Sequence, residues 1–215
     1  MDCELSILPS SYEYERAVQV LREGGIVAYP TETYYGLAVN PESAEAVSAL
    51  YRLKRRAPDK ALSFLIPDQT ILLKYIADFP TAYRQLVENF WPGPLTLIFR
   101  KSDKCLLPSK NDDKSLAFRI SSHTVAGKFC QLFGEAITAS SANISGQSAF
   151  SSAEEVKKQW GNKIDYILNG GKTPGEMPST IIRYKKNTIE ILRTGVVTKQ
   201  EIRKVLSGNY TICKS

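Results

Sequence analysis

The sequence predicts a single α/β domain built on a mixed, mainly buried β-sheet. Short apolar runs typical of strands alternate with amphipathic helical stretches over most of the 215 residues. No Pro- and Ser-rich stretch divides the chain, and no internal repeat is visible. A hydrophobic content of 43% at this length is enough for a substantial core. We therefore expect one domain that spans residues 1–215.

In the N-terminal half, capping residues and helix breakers set the predicted boundaries. Ser10 and Glu13 form a capping box, and the glycine pair at 24–25 ends the helix that this box begins. Asn40 followed by Pro41 is typical of a helix start. The apolar segments between these helices are short, which favours buried strands. We predict helices over 10–25, 40–54, 69–77 and 80–90, and strands over 26–29, 62–66 and 95–99.

In the C-terminal half, two further capping boxes mark helix starts, Ser152 with Glu155 and Thr198 with Glu201. The polar segment 101–114 is expected to be a loop. The last two strands lie too close together for a helical crossover, so we expect them to form an antiparallel hairpin. We predict helices over 123–133, 152–160 and 198–206, and strands over 116–120, 136–139, 164–168, 180–184 and 188–192.

Composition limits the chemistry available to the protein. The chain carries 28 Lys and Arg against 22 Asp and Glu, hence a net charge of +6, and has one histidine. A zinc site built on several histidines is excluded, and any Ser–His–acid or Cys–His catalysis would have to use His123 alone. We expect His123 to be a polar residue at a helix start instead.

Targeting and redox features favour the cytoplasm. The four cysteines (positions 3, 105, 130 and 213) are far apart and form no C-x-x-C motif, which is typical of reduced cytosolic thiols. The N-terminus lacks the basic and apolar regions of a signal peptide. No apolar run approaches the roughly 20 residues of a membrane helix. We expect a soluble, cytoplasmic protein.

Two hydroxyl-rich segments follow predicted strands. In residues 29–36, Thr31 and Thr33 flank Glu32, which suits either a polar turn or the rim of a small-ligand site. Residues 138–146 are small and rich in hydroxyl groups, so a ligand could approach the backbone there, or the segment could be a flexible connector.

Cations form a second group of candidates. Residues 54–60 contain four cations at a predicted helix C-terminus, which suits either a solvated face or an anion site. Arg119 interrupts an apolar strand and needs a carboxylate, from the protein or from a ligand. Arg193 lies at the end of another strand, where ligands of sheet proteins often bind.

Together these segments resemble the YrdC/TsaC family, the threonylcarbamoyl-AMP synthases. The resemblance rests on seven motifs in the family's order and covers about residues 10–206, and the chain looks like the short, single-domain form. The motifs are GIVAYPTETYYGL at 25–37, KRR at 54–56, WPGPLT at 91–96, FRI at 118–120, SSANISG at 140–146, STI at 179–181 and RTG at 193–195.

The resemblance implies a twisted sheet flanked by helices around a basic concave cavity. It also implies a reaction, in which L-threonine, bicarbonate or CO2, and ATP give threonylcarbamoyl-AMP and pyrophosphate. This is the first step of the t6A modification beside the tRNA anticodon. The expected partners are therefore these substrates and the threonylcarbamoyl-transfer machinery that acts on tRNA, with weak direct RNA binding a further option.

The family's site residues carry over position by position. The positions on the threonine side are Thr33, Arg119, Ser141 and Ser179. The positions on the ATP side are Lys54, Arg56, Lys60, Asn143, Ser151 and Arg193. We expect Lys54 and Arg56 to be catalytic, because cations can neutralise the charge that develops in nucleotidyl transfer. Mg²⁺ is expected to be held mainly by the ATP phosphates rather than by protein ligands.

The chain departs from the family pattern in the nucleotide region. Relatives usually read K-x-R-P and then K-P-L, but Ala57 and Ala61 replace those prolines and a proline occupies position 58. Leu65 stands where some relatives have a histidine. The polar segment 101–114 is a candidate lid over the cavity.

Two other functions remain open. The net charge of +6 would also suit an RNA-binding module for tRNA or double-stranded RNA, although no RNP-like stacking motif is visible. A related domain could instead pass a carbamoyl group to another acceptor. The known carriers of such a domain are much longer chains with acylphosphatase and zinc segments.

Overall fold

A computed structural model describes residues 8–109, 114–208 and 210–214. The predicted α/β class is confirmed. The helices are α1 (Ser11–Arg22), α2 (Ala44–Lys54), α3 (Gln69–Leu72), α4 (Thr81–Phe90), α5 (Thr124–Phe133), α6 (Ala153–Trp160) and α7 (Lys199–Val205). The strands are β1 (Val27–Tyr29), β2 (Gly36–Ala38), β3 (Ser63–Leu65), β4 (Leu95–Arg100), β5 (Ser115–Arg119), β6 (Ile137–Thr138), β7 (Ser140–Ser141), β8 (Tyr166–Ile167), β9 (Thr180–Lys185), β10 (Thr188–Arg193) and β11 (Thr211–Lys214).

The strands form two mixed sheets that meet at one point. The smaller sheet has the order β7-β2-β1-β8, and the larger one has the order β11-β10-β9-β4-β5-β3-β6. Thr138 joins them, because its backbone N–H donates to the Val39 carbonyl and its hydroxyl oxygen accepts from the Val39 N–H. The predicted hairpin of β9 and β10 is confirmed as an antiparallel pair.

The topology of the larger sheet brings four strand ends to one edge. β5 and β10 run antiparallel to their neighbours β4 and β9, which are parallel to each other. The carboxyl ends of β5 and β10 therefore lie beside the amino ends of β4 and β9. Segments far apart in the sequence meet at this edge, and the polar residues at these four ends become neighbours.

Helices cover both faces of the smaller sheet. Val27 and Tyr29 pack in a cluster with α1 and α5, whereas Ala28 packs in the larger core cluster on the other face. Side chains of successive strand residues point to opposite faces, so a strand buried on both faces is a continuous apolar run. This explains why β1 shows no alternation of polar and apolar residues.

Most capping predictions are confirmed, and one helix start is wrong. The capping boxes of α1, α6 and α7 all form as expected. The helix predicted from Asn40 instead begins at Ala44, and Ser43 caps it through the Ala46 N–H. The Asn40 side chain accepts a hydrogen bond from the Glu42 N–H, a local turn that competes with helix formation.

Other differences concern short elements. The helix predicted over 69–77 is limited to the four residues of α3. Strands β2, β7 and β11 were not predicted, since two to four residues are too few to show a period. Part of the proposed lid, residues 110–113, lies outside the described residues, as does Cys3. In the part of the chain that is described, no helix is both long enough and apolar enough to span a bilayer.

Candidate functional site

A cavity of about 300 Å³ lies at the sheet edge described above, and we call it the strand-end cavity. Its walls come from the end of β1, the loop that follows it, β7 and the edge residues of the larger sheet. The polar and charged lining residues are Thr31, Thr33, Arg119, Ser140, Ser141, Asn143, Gln147, Ser179 and Arg193. The four residues predicted on the threonine side thus line one cavity.

Arg119 occupies the carboxyl end of β5 and is paired with a protein carboxylate. Its Nη1 donates to Oε1 of Glu32 at 2.7 Å, and the side chains are 8% and 13% exposed. The other Glu32 oxygen accepts a hydrogen bond from the Ser121 hydroxyl. Of the two carboxylate sources that the sequence left open, the structure therefore provides the internal one. Arg119 also lines the strand-end cavity.

Arg193 is held against the first residues of the β9 segment. Its Nε donates to the Ser179 carbonyl at 2.9 Å and its Nη2 to the Ser179 hydroxyl at 2.8 Å. The Ser179 hydroxyl also lies 2.9 Å from that of Thr96. A Cβ at Gly195 would lie 2.1 Å from the Pro178 carbonyl oxygen, so only glycine allows this close approach.

The charge around Arg193 favours an anion. Desolvation, with smaller contributions from the charges of Arg119 and Arg56, lowers the pKa of Arg193 to about 10. The residue remains a cation at neutral pH. Two further guanidinium groups close enough to lower the pKa of Arg193 create a positive potential that an anionic ligand would relieve.

A second cavity of about 390 Å³ adjoins the first, and we call it the cation-lined cavity. Ser141 and Asn143 line both cavities. The cations around it are Lys54, Arg55, Arg56 and Lys60. The predicted K-x-R and S-x-N pairs thus come together, although 87 residues separate Lys54 from Ser141.

Lys54 is buried, and its ammonium group is bonded to the loop that separates the cavities. Its Nζ donates to the Ser141 carbonyl, to the Asn143 carbonyl at 2.6 Å and, at 3.5 Å, to Oδ1 of Asn143. Its own carbonyl accepts from the Ser145 N–H. Burial, with a smaller contribution from the charge of Arg56, lowers the pKa of Lys54 to about 7. This geometry holds the loop in place, which the sequence did not indicate.

Arg56 and Lys60 lie on the turn after α2. Arg56 donates through Nε to the Lys60 carbonyl at 3.3 Å and through Nη2 to the Ala61 carbonyl at 2.5 Å. The Lys60 side chain is exposed. Arg56 thus stabilises the turn in which alanine replaces the family's prolines, and the carry-over to Lys60 stays a prediction.

Two predicted positions lie away from both cavities. Ser151 lines neither; its N–H and hydroxyl donate to Glu155 at the start of α6. His123 caps α5, where its Nδ1 accepts from the Val125 N–H, and burial lowers its pKa. This is the polar helix-start role expected for His123.

Sequence reasoning missed some of the supporting residues. Thr96 lies within the quoted WPGPLT motif but was given no role, and Ser121 lies just beyond the end of β5. Both carry a hydroxyl group next to an apolar strand: Thr96 lies near the start of β4, and Ser121 follows the end of β5. That pattern is the signal by which they could have been found.

The fold and the two cavities define a class of protein: an α/β domain suited to bind a small carboxylate-bearing ligand beside a polyanion. Comparison with known proteins gives the family. The family model of Sua5, YciO and YrdC, described as "Telomere recombination", matches residues 19–195. The chain therefore belongs to the Sua5/YciO/YrdC family.

The relatives agree in sequence and structure. A threonylcarbamoyl-AMP synthase of Vibrio campbellii is 35% identical over 184 residues, which are 85% of this chain and 98% of the relative. The crystal structure of P. abyssi Sua5 complexed with L-threonine superimposes with a TM-score of 0.87 at 34% identity, covering 94% of this chain. This chain spans 59% of that longer protein. E. coli YciO, at 24% identity and a TM-score of 0.82, shares the fold over 92% of this chain and 96% of its own.

Proposed function

We propose that this protein is a threonylcarbamoyl-AMP synthase that joins L-threonine, bicarbonate or CO2, and the AMP moiety of ATP. The observation that carries the proposal is the pair of cavities that share Ser141 and Asn143. A small amino acid in one cavity and a nucleotide in the other would meet at this loop. Relatives named for this activity, and a relative whose structure holds L-threonine, support the assignment.

Threonine occupies the strand-end cavity in this proposal. Its carboxylate binds the free N–H groups of Arg119, since guanidinium groups match carboxylates in shape and charge. The hydroxyls of Thr33 and Ser179 line the same space and orient the substrate. Ser141 places the amine next to the shared loop.

The ATP phosphates occupy the cation-lined cavity. Arg56 and Lys60 supply positive charge from the turn after α2, and Arg193 supplies it from the neighbouring cavity. Asn143 contacts the nucleotide from the shared loop. Lys54 contributes mainly by holding that loop, because its Nζ already bonds three oxygen atoms. The carry-over from the family also assigns Ser151 a nucleotide contact, although Ser151 lines neither cavity.

The reaction then needs positioning and charge stabilisation more than an acid or base from the protein. The neutral amine of threonine adds to the carbon of CO2 and loses a proton, or attacks bicarbonate with breakage of a C–O bond and loss of water, and a carbamate forms. A carbamate oxygen attacks the α-phosphorus, the bond from that phosphorus to the β-bridging oxygen breaks, and pyrophosphate leaves. Cations stabilise the charge that develops on the phosphate oxygens.

In this proposal Mg²⁺ binds together with ATP. The carboxylate closest to Arg119, that of Glu32, is already bonded to Arg119 and Ser121. Among the described residues, no group of three or more His, Cys, Asp and Glu side chains could hold a metal ion. The phosphates of ATP would therefore supply most of the ligands and bring the ion's charge to the transferring group.

The product would pass to machinery that transfers the threonylcarbamoyl group to tRNA. An adenylate of this kind is labile in water. We therefore expect the transfer step to take place in the same compartment as its synthesis, the cytoplasm. This part of the proposal rests on the family resemblance rather than on the site geometry.

Pyrophosphate release tests the proposed function directly. Release is measured with ATP, threonine and bicarbonate present, and then with threonine or bicarbonate omitted in turn. We expect release only in the complete mixture. Release that ignores both omissions, or none in any mixture, would contradict the proposal. Salt-dependent RNA binding without this chemistry would favour the RNA-binding module instead.

A further inference from the structure

Glu32 is a partly buried carboxylate beside the strand-end cavity, and the proposed mechanism gives it no step. It lies in the loop between β1 and β2, and it is absent from the residues that line either cavity. Arg119, by contrast, lines the strand-end cavity. The arginine therefore forms part of the cavity wall, whereas its carboxylate partner does not.

The contacts of Glu32 fix it on both sides. Oε1 accepts from Nη1 of Arg119 at 2.7 Å, and Oε2 accepts from the Ser121 hydroxyl. The Ser121 oxygen in turn accepts from the His123 N–H at 3.2 Å, at the start of α5. A helix start therefore anchors the carboxylate, and the carboxylate anchors the guanidinium group.

This arrangement leaves donors on Arg119 for a ligand. A guanidinium group has five N–H donors. Among the described side chains, Glu32 accepts a hydrogen bond from Arg119, and it does so from one nitrogen, Nη1. A long side chain without such support would populate several rotamers. Held by Glu32, the group presents its remaining donors in one orientation.

We propose that Glu32 is a positioning residue that orients Arg119 for the threonine carboxylate; this inference rests on the proposed function. An opposite role is conceivable, in which Glu32 occupies Arg119 and must leave before substrate binds. The contacts oppose that role, because displacement would leave a carboxylate that is only 13% exposed with Ser121 as its remaining side-chain partner among the described residues. The carboxylate instead stays in place while the substrate uses the other N–H groups.

Three variants separate the two roles by steady-state pyrophosphate release. Glu32→Ala removes the support, and we expect the KM for threonine to rise about tenfold or more, while the KM for ATP changes less than about twofold. Glu32→Gln keeps an oxygen that can accept from Arg119, so its KM for threonine should rise less. Ser121→Ala keeps the ion pair and should give the smallest rise; it remains informative if Glu32→Ala does not fold. Glu15→Gln, an exposed carboxylate on α1, is the matched control.

A second substrate sharpens the test. Threoninamide lacks the carboxylate, so its kcat/KM should be nearly the same for wild type and Glu32→Gln. A lower threonine KM in either Glu32 variant would overturn the proposal in favour of competition. Unchanged KM values, or equal increases for threonine and ATP, would also overturn it. An inactive wild type would overturn the proposed function as well, whereas an active wild type with unaffected variants would overturn this inference alone.

Discussion

The two cavities differ in how their polar groups are held. In the strand-end cavity, Arg119 is supported by Glu32, Ser179 by Thr96 and Arg193, and Thr33 by Thr31. In the cation-lined cavity, Arg55 and Lys60 lie exposed on a turn, and Arg56 donates to main-chain carbonyls of that turn. The first site is built before its ligand arrives, while the second also presents exposed cations on a turn.

This difference fits the two ligands proposed. A small amino acid offers few contacts, so each donor must already be in place for binding to be selective. A triphosphate carries several charges and tolerates variation in the position of each cation. Variants in the two cavities should therefore fail in different ways.

The largest effect is expected for Arg56→Ala in the cation-lined cavity. Loss of a group that stabilises transition-state charge typically lowers kcat about 10²–10³-fold. Pyrophosphate release under saturating substrates measures it, with circular dichroism to confirm that the variant is folded. Arg52→Ala, an exposed cation one turn earlier, is the matched control. A wild-type kcat in Arg56→Ala would mean that the phosphates bind elsewhere.

Lys54→Met tests the loop that the cavities share. Two carbonyl groups and an amide oxygen lose a common donor, and a buried group left unsatisfied costs about 1–3 kcal/mol. We expect the free energy of unfolding to fall by at least this amount and the KM values of both substrates to rise. Denaturant titration and steady-state kinetics measure the two effects. A change confined to the ATP KM would indicate direct phosphate contact instead.

The pH dependence of the same variant has a definite sign. Burial lowers the pKa of Lys54 from 10.5 to about 7, so between these values the unfolded chain binds one more proton than the folded protein. Stability that depends on Lys54 therefore rises with pH across this window. The difference in unfolding free energy between wild type and Lys54→Met should grow from pH 7 towards pH 10 and be flat below pH 6. A difference independent of pH would contradict the lowered pKa.

Gly195→Ala should disturb the strand-end cavity by a smaller amount. The added methyl would meet the Pro178 carbonyl and the Ser179 backbone, so the chain must shift away from Ser179. Overpacking of this kind costs about 1–3 kcal/mol. We expect a lower melting temperature and a raised threonine KM, as Arg193 and Ser179 separate. Gly134→Ala lies in a helix C-cap with open space around it and would lower stability without changing the KM.

The smallest effect is expected outside both cavities. Ser10→Ala removes the capping box of α1, which costs about 1 kcal/mol. The melting temperature should fall by a few degrees for a domain of this size. Both KM values and kcat should match wild type, and an activity change would show that α1 is coupled to the site.

Short sequence patterns were sufficient to predict features that depend on interactions between residues close together in the chain. The capping boxes at Ser10, Ser152 and Thr198 were predicted correctly because each depends on residues three positions apart. Asn40 failed because its side chain has a competing local partner, the Glu42 N–H. Strands β2 and β7 were missed because their pairing with each other, not their own sequence, defines them.

By itself, the sequence determined the α/β class, the limits of most elements and the residues that carry the family's motifs. Only the tertiary structure decided which groups support one another: Glu32 with Arg119, and Lys54 with the loop at Ser141. These pairs lie 87 residues apart, and their geometry follows from strand order and from which face of a helix is buried. A buried charge must find its partner in three dimensions, and no short-range pattern encodes that partner.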